Sequence, residues 1–582
     1  MSDRDPSASA QTPSAAGRDP SAPDSSSSAG SGGLSRRGFL HAGALAVAGA
    51  AYAPGLSASP TSHLSPAMAG DARPAALPPF ELEEATVQQL QDWMRSGRYT
   101  SRTLVEAYLA RIAEVDRQGP TLRSVIETNP DALRIAGEMD AERAAGRVRG
   151  PLHGIPVLIK DNIDTADRMM TTAGSYALDG TPAPRDAFIA GRLRAAGAVI
   201  IGKTNLSEWA NFRSTHASSG WSGRGGQVRN PYALDRTPCG SSSGSGSAIS
   251  ANLAAIAVGT ETDGSIVCPS SANSVVGIKP TLGLVSRSGV VPISHSQDTA
   301  GPMARTVADA AALLTVLAGV DPRDSATAPA RAHLVPDYTR FLDPNGLRGA
   351  RIGVARAKMF GSDQHADRVV NAAIDEMRRM GAVIVDPADI PHLGEYDGDE
   401  FTVLLYDFKA DLNAYLASRG ATSRVRTMKD VIDYNERDRA REMPYFGQEL
   451  MLMSQEKGPL TEKAYVDARA KSLRLAGREG IDAVMARHRL DAIVAPTGSV
   501  PWPIDVLLGD HGVGGSSTPA AVAGYPNVTV PAGYAFGLPV GISFIGRAWS
   551  EPTLIKLAYA FEQGTRHRKP PRFLPTADLT TA

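Results

Sequence analysis

Pro238-Cys239-Gly240-Ser241-Ser242-Ser243-Gly244-Ser245-Gly246-Ser247-Ala248, followed by Gly259-Thr260-Glu261-Thr262-Asp263-Gly264-Ser265-Ile266, is the stretch on which the reading of this chain turns. A Gly/Ser run by itself reads as a flexible linker. Here the apolar, element-forming Ala254–Val258 lies between the two segments, and a linker has no need of it. Small residues also let backbone approach a substrate closely and present its N–H groups. Outward from this point, short apolar runs recur at Pro156–Ile159, Ala198–Ile201, Arg351–Ala355, Ala382–Val385, Ala492–Ala495 and Gly541–Ile545. Helical stretches such as Ala187–Ala196 separate them. This alternation predicts an α/β protein with a covered, mixed sheet. Val87, Leu90 and Met94 share a face at helical spacing, as do Leu104, Tyr108, Ile112 and Val115. Asn129-Pro130 predicts a capped helix start, and Gly146 its end. Residues 400–485 are expected to be mostly helical, with Glu436-Arg437-Asp438-Arg439 on a solvated face.

The chain has 582 residues, with 60 Lys+Arg against 61 Asp+Glu. So balanced a charge leaves no strong basic field to hold nucleic acid or anionic lipid. Two cysteines, Cys239 and Cys268, are too few for a disulfide scaffold, and no Cys/His spacing suggests zinc. Two buried free thiols are the expected state, with a disulfide between them as the alternative.

The first 69 residues read as a disordered leader and a twin-arginine signal peptide. Residues 1–33 are mostly Ser, Ala, Gly, Pro and Asp, too polar to offset chain entropy by burial. Ser35-Arg36-Arg37-Gly38-Phe39-Leu40 then precedes the mildly apolar His41–Ala53. Paired arginines before such a run are the export pattern, and the run is too short for stable membrane insertion. Cleavage is expected after Ala67-Met68-Ala69, or near Ala53, where Pro54 makes the bond a poor one. The expectation is an exported, periplasmic or extracellular protein that meets the twin-arginine machinery. Residues 70–80 form a linker, 81–570 one catalytic domain and 571–582 a tail.

Two chemistries compete for the central stretch. Gly240-Ser241-Ser242-Ser243-Gly244 matches a G-x-S-x-G elbow, which would make Ser242 a nucleophile served by His488, His511 or His567. None of those histidines stands in a supporting context. The second reading rests on several motifs in order. They are Gly154-Ile155-Pro156-Val157-Leu158-Ile159-Lys160-Asp161-Asn162, Gly202-Lys203-Thr204-Asn205, the two serine segments, Gly277-Ile278-Lys279-Pro280-Thr281, Asp298-Thr299-Ala300-Gly301-Pro302-Met303 and Leu538-Pro539-Val540-Gly541-Ile542. Together they resemble the amidase signature family over roughly residues 80–570, with Ser241 and Ser265 matching the family's two serines without a gap. Ile266-Val267-Cys268-Pro269 replaces the Ile-Arg-x-Pro of many members and looks closest to bacterial peptide amidases.

The resemblance implies the amidase signature fold, a mixed twisted β-sheet covered by α-helices on both faces. It also implies a Ser-Ser-Lys triad: Ser265 as nucleophile, Ser241 as relay after a cis bond from Gly240, and Lys160 as base. Backbone N–H groups of Thr262, Asp263, Gly264 and Ser265 would form an oxyanion hole, with Ser242 in support and no metal or organic cofactor. The implied substrate is a peptide C-terminal amide that releases ammonia. Small aliphatic, aryl or cyclic amides are the alternative, and membership of an amidotransferase complex is a weaker one. Asp263 reads as a structural turn residue. A lysine is a base only when neutral, so burial must lower its pKa from about 10.4. Lys160 closes the apolar run Pro156–Ile159, which is compatible with that. Pocket walls are expected before Ser175, around Trp209–Trp221 and from residues 400–485.

Overall fold

The apolar runs become strands, and all but the edge strand at Val383–Val385 are largely buried. The structure, a computed structural model, describes residues 77–580. The leader, the twin-arginine motif, both cleavage sites and most of the expected linker lie outside the described residues. The strands are β1 (Val125–Thr128), β2 (Pro156–Lys160), β3 (Val199–Thr204), β4 (Trp221–Ser222), β5 (Gly226–Gln227), β6 (Ile256–Glu261), β7 (Val276–Lys279), β8 (Thr299–Ala304), β9 (Arg351–Val354), β10 (Val383–Val385), β11 (Ala492–Pro496), β12 (Asn527–Ala535) and β13 (Leu538–Ile545). Strands β4 and β5 pair with each other, and the rest form an 11-stranded sheet in the order β1-β3-β2-β6-β8-β7-β12-β13-β11-β9-β10. It is mixed: β2 runs parallel to β3 and β6, and β9 parallel to β10 and β11, while the remaining pairs are antiparallel. Every residue of β2, β3 and β6 is buried, the condition under which a strand reads as a continuous apolar run.

All seven expected strands form. Four more strands of this sheet were not anticipated: β1, β7, β8 and β12. Strand β8 has Gly301 and Pro302 at its centre, which breaks the apolar pattern that marks a strand. Strand β1 has one buried residue and three half-buried ones, so its periodicity is weak.

Thr86 caps the helix Val87–Arg95 through a reciprocal bond with Gln89, and Val87, Leu90 and Met94 are buried, as their spacing requires. The helix Ser101–Arg111 runs on into a π-helical turn at Ile112–Arg117. The helix expected at Asn129-Pro130 starts later, at Ala132. Asn129 instead accepts the Asp131 N–H at 2.9 Å and donates to the Ile200 carbonyl at 2.8 Å, so it staples the turn to β3. Gly146 ends that helix as expected, at φ +75°.

Residues 397–488 are mostly helical. They do more than present a solvated face. Leu404, Leu405, Phe408 and Leu412 of the helix Asp397–Ser418 pack with Trp209, Phe212, Ile293 and Met451 in a core separate from the one along the sheet. The expected tail also lies against the body: Leu574 bridges Ala233, and the Phe573 N–H donates to the Pro231 carbonyl. Among the described residues no helix is long and apolar enough to cross a membrane.

Candidate active site

Lys160 is the last residue of β2, and its side chain is fully buried. Strand β6 is one of the two parallel neighbours of β2, with Ile159 level with Val258, and the lysine emerges beside Thr260. Its Nζ lies 2.8 Å from Ser241 Oγ, 2.8 Å from Thr260 Oγ1 and 3.3 Å from the Thr260 carbonyl. Desolvation pushes the amine down to about 7, against the pull of the Asp298 and Glu261 carboxylates. The neutral base therefore becomes accessible near neutral pH.

The Gly/Ser run is a helix, Ser243–Ser250, with every residue buried. Its small side chains answer a packing demand. A Cβ on Gly244 would fall 2.3 Å from the Ser124 carbonyl oxygen and 2.4 Å from that of Asn205. Ser241 and Ser242 sit just before this helix, after a cis peptide bond between Gly240 and Ser241. Ser242 Oγ donates to the Thr260 carbonyl at 3.0 Å and accepts the Thr260 N–H at 3.1 Å. Both of its capacities are spent on β6, which leaves the elbow reading without a free hydroxyl. Nor does any histidine of the described residues hydrogen-bond to Ser242; His511 pairs with Asp505, and His567 with Glu376.

The second serine segment is the turn between β6 and the helix Val267–Ala272. Glu261 accepts the N–H groups of Ile266 and Val267 at 2.8 and 3.0 Å, which folds the chain back at once. Gly264 sits at φ +83°, a conformation that L side chains disfavour. Among the described residues no acceptor takes the N–H of Asp263, Gly264 or Ser265. The Ser265 carbonyl receives the Ser242 N–H at 3.2 Å, so the two segments touch directly. The Asp263 carboxylate accepts from Ser517 at 2.5 Å and Thr518 at 2.9 Å, the structural use expected of it. Thr262 donates to Asp298 at 2.6 Å. Burial holds Asp298 up at about 6, although Thr262 and the N–H groups of Ser294 and Ile293 oppose the shift.

A cavity of about 330 Å³ opens over these segments. Gly240, Cys239, Asp263, Gly264 and Cys268 line its inner end, and Phe212, Phe401, Leu450 and Trp502 supply apolar walls. Two of the three expected wall regions are present, through Asn211–Ala217 and through Glu400, Phe401 and Leu450. Among the described residues none before Ser175 lines it.

The profile of the family described as Amidase matches residues 103–555. This chain belongs to the amidase family. The amidase is 54% identical to native peptide amidase from Stenotrophomonas maltophilia, over 85% of this chain and 100% of that one, with a TM-score of 0.82. It is 44% identical to a probable amidase of Arabidopsis thaliana, over 85% of this chain and 93% of the relative. A glutamyl-tRNA(Gln) amidotransferase subunit from Chloroflexus aurantiacus is 36% identical, over 85% of this chain and 99% of its own length.

One expectation about the amidase fails. Cys239 and Cys268 form a disulfide, with Cα atoms 5.9 Å apart, rather than standing as two free thiols. Each flanks one of the two serine segments. Because those segments meet through Ser242 and Ser265, the two sulfurs are brought together. Closing a loop over a sequence separation of 29 stabilises a fold by about 3.6 kcal/mol in the chain-entropy account. Three features escaped the sequence reading: the hydroxyl of Thr260 on Lys160, the carboxylate of Asp298 beneath Thr262, and the walls contributed by residues 497–518. Thr260 comes beside Lys160 through the parallel register of β2 and β6, which no contiguous pattern marks. The last region has no periodic pattern to mark it.

Proposed function

We propose that this amidase hydrolyses the C-terminal amides of peptides, releasing ammonia, with Ser265 as nucleophile, Ser241 as proton relay and Lys160 as base. The observation that carries the reading is the buried Lys160 amine, 2.8 Å from Ser241 Oγ and held at a pKa of about 7. In the neutral amine, the Thr260 hydroxyl and carbonyl account for its two hydrogens, and the lone pair faces the Ser241 hydroxyl. Ser265 Oγ attacks the amide carbon while its proton passes to Ser241 and that of Ser241 passes to Lys160. The free N–H groups around Asp263, Gly264 and Ser265 stabilise the developing oxyanion, with Ser242 bracing the relay against β6. The proton then returns through Ser241 to the leaving nitrogen, because an amide anion is a very poor leaving group. Ammonia departs, and water resolves the ester on Ser265. Similarity to the Stenotrophomonas enzyme, together with a cavity large enough for a residue or two, supports a peptide substrate. Ammonia release from a panel of peptide amides, amino acid amides and aliphatic amides tests this. Peptide amides are expected to lead in kcat/KM by about tenfold or more, the discrimination that a few apolar and hydrogen-bonding contacts provide. Turnover of the other amides with none from any peptide amide would remove the substrate assignment.

We also infer export through the twin-arginine route. Arg36-Arg37 before a weak apolar run supports it, and so does a disulfide, since such bonds persist in oxidising compartments. Fractionation of cells producing the full chain is expected to place the enzyme outside the cytoplasm. Replacement of Arg36 and Arg37 by lysine should retain it inside, and an unchanged distribution would reject the route.

A further inference from the structure

The cavity over the two serine segments is acidic. Asp263, Asp397, Glu400 and Asp510 line it, and among the described residues no lysine or arginine does. Three of these carboxylates are engaged. Asp263 accepts from Ser517 and Thr518. Asp510 accepts the Ser219 N–H, the Ser219 hydroxyl and Trp502 Nε1. Glu400 accepts from Gln297 at 3.0 Å. Asp397 differs. It is only 7% exposed, and its Oδ1 is buried with no hydrogen-bond partner.

A bland account exists. Asp397, Asp399 and Glu400 occupy the first turn of the helix Asp397–Ser418, where carboxylates are favoured by the helix dipole. Asp399 fits that account and pairs outward with Lys471 at 2.6 Å. Among the described residues no helix N–H donates to Asp397 Oδ1. A buried carboxylate oxygen without a protein partner is costly, whereas a charge-assisted bond to a cation would recover that cost. The aromatic walls Phe401 and Trp502 also suit a cation or its aliphatic stem. Since Gly240 and Gly264 line the same cavity, that cation belongs to the molecule whose amide is cleaved.

We propose that Asp397 is a specificity-determining residue and that the preferred substrate is a peptide amide carrying a positive charge close to the scissile amide. The charge is either the free α-ammonium of a short peptide amide or a lysine or arginine side chain. The inference rests on the peptide-amide reading above. It adds that the acid product, with its new carboxylate, faces an acidic wall and is released readily.

The test is kcat/KM of the full-chain enzyme on two matched pairs. One pair is a peptide amide ending in arginine against the same peptide ending in citrulline. The other is a dipeptide amide with a free amine against its N-acetyl form. Wild type should favour the charged member of at least one pair by roughly tenfold to a hundredfold, the effect of one charge-assisted hydrogen bond. Whichever pair shows the effect names the source of the charge. Asp397→Asn should bring that ratio towards one, mainly through KM, whereas a purely structural role would depress both members alike. If Asp397→Asn does not fold, Asp397→Ser serves in its place, and the wild-type ratios stand on their own. Equal turnover of both pairs in wild type, or a ratio that survives the substitution, overturns the proposal. Turnover of the citrulline amide with flat ratios would sink this inference alone, while no turnover of any peptide amide would sink the reading beneath it.

Discussion

Ser265→Ala is expected to abolish ammonia release from every amide, a fall of roughly a millionfold if this serine forms the acyl-enzyme. The residue offers little else for the substitution to disturb. Its carbonyl accepts the Ser242 N–H, and that bond is made by the main chain and survives the change. The side chain lies in a turn whose shape is set by Glu261 and Gly264. The variant should therefore fold, melt near the wild-type temperature and bind substrate. An ammonia assay combined with intact mass after incubation with a slow ester substrate checks both halves: wild type should gain the acyl mass and Ser265→Ala should not. Undiminished turnover, or an adduct that forms on the alanine variant, would move the nucleophile elsewhere.

The second large effect belongs to Lys160. With the amine at about 7, log kcat/KM should fall with unit slope as the pH drops below that value, because protonation removes the base. Lys160→Met should cost several orders of magnitude and flatten that limb in whatever activity remains. Its effect on stability has the opposite sign. The folded-state pKa lies below the ordinary 10.5, so between about 7 and 10.5 the unfolded chain holds the extra proton and stability rises with pH. Below about 7 both states are protonated, and the full penalty of a buried ammonium applies. Methionine removes that penalty. In this acidic window Lys160→Met is thus expected to be more stable than wild type, by a few kcal/mol at most once the bonds to Ser241 and Thr260 are subtracted. Denaturation at pH 6 and pH 9 checks it: the gain should be larger at pH 6. A variant less stable than wild type at both values would mean that Lys160 is not held neutral.

What was legible in the sequence was whatever is written in contiguous residues. Lys160 closes an apolar run, and that run is a buried strand. The two serine segments are short words whose order survives folding. What was not legible depends on registration between distant segments. Thr260 acts on Lys160 only because β2 and β6 run side by side in step. Cys239 and Cys268 were expected as two free thiols with a disulfide as the alternative, and the contact of Ser242 with Ser265 decides for the disulfide. Strand β8 hid behind Gly301 and Pro302. Residues 497–518 build a wall of the cavity from a loop, where no hydrophobic period operates. Asp397 was hidden differently: helix was expected only from about residue 400, and a missing bond leaves no trace in a string of letters.

The tight helix Ser243–Ser250 implies a division of labour that bears on how such an enzyme diversifies. Its neighbours meet it main chain to main chain, so almost any enlargement there displaces backbone, and drift along it is barred. The bulky, replaceable groups are elsewhere, on the loop that carries Trp502 and at the start of the helix that carries Asp397 and Phe401. New appetites should arise by trading those outlying groups over an unchanging pavement.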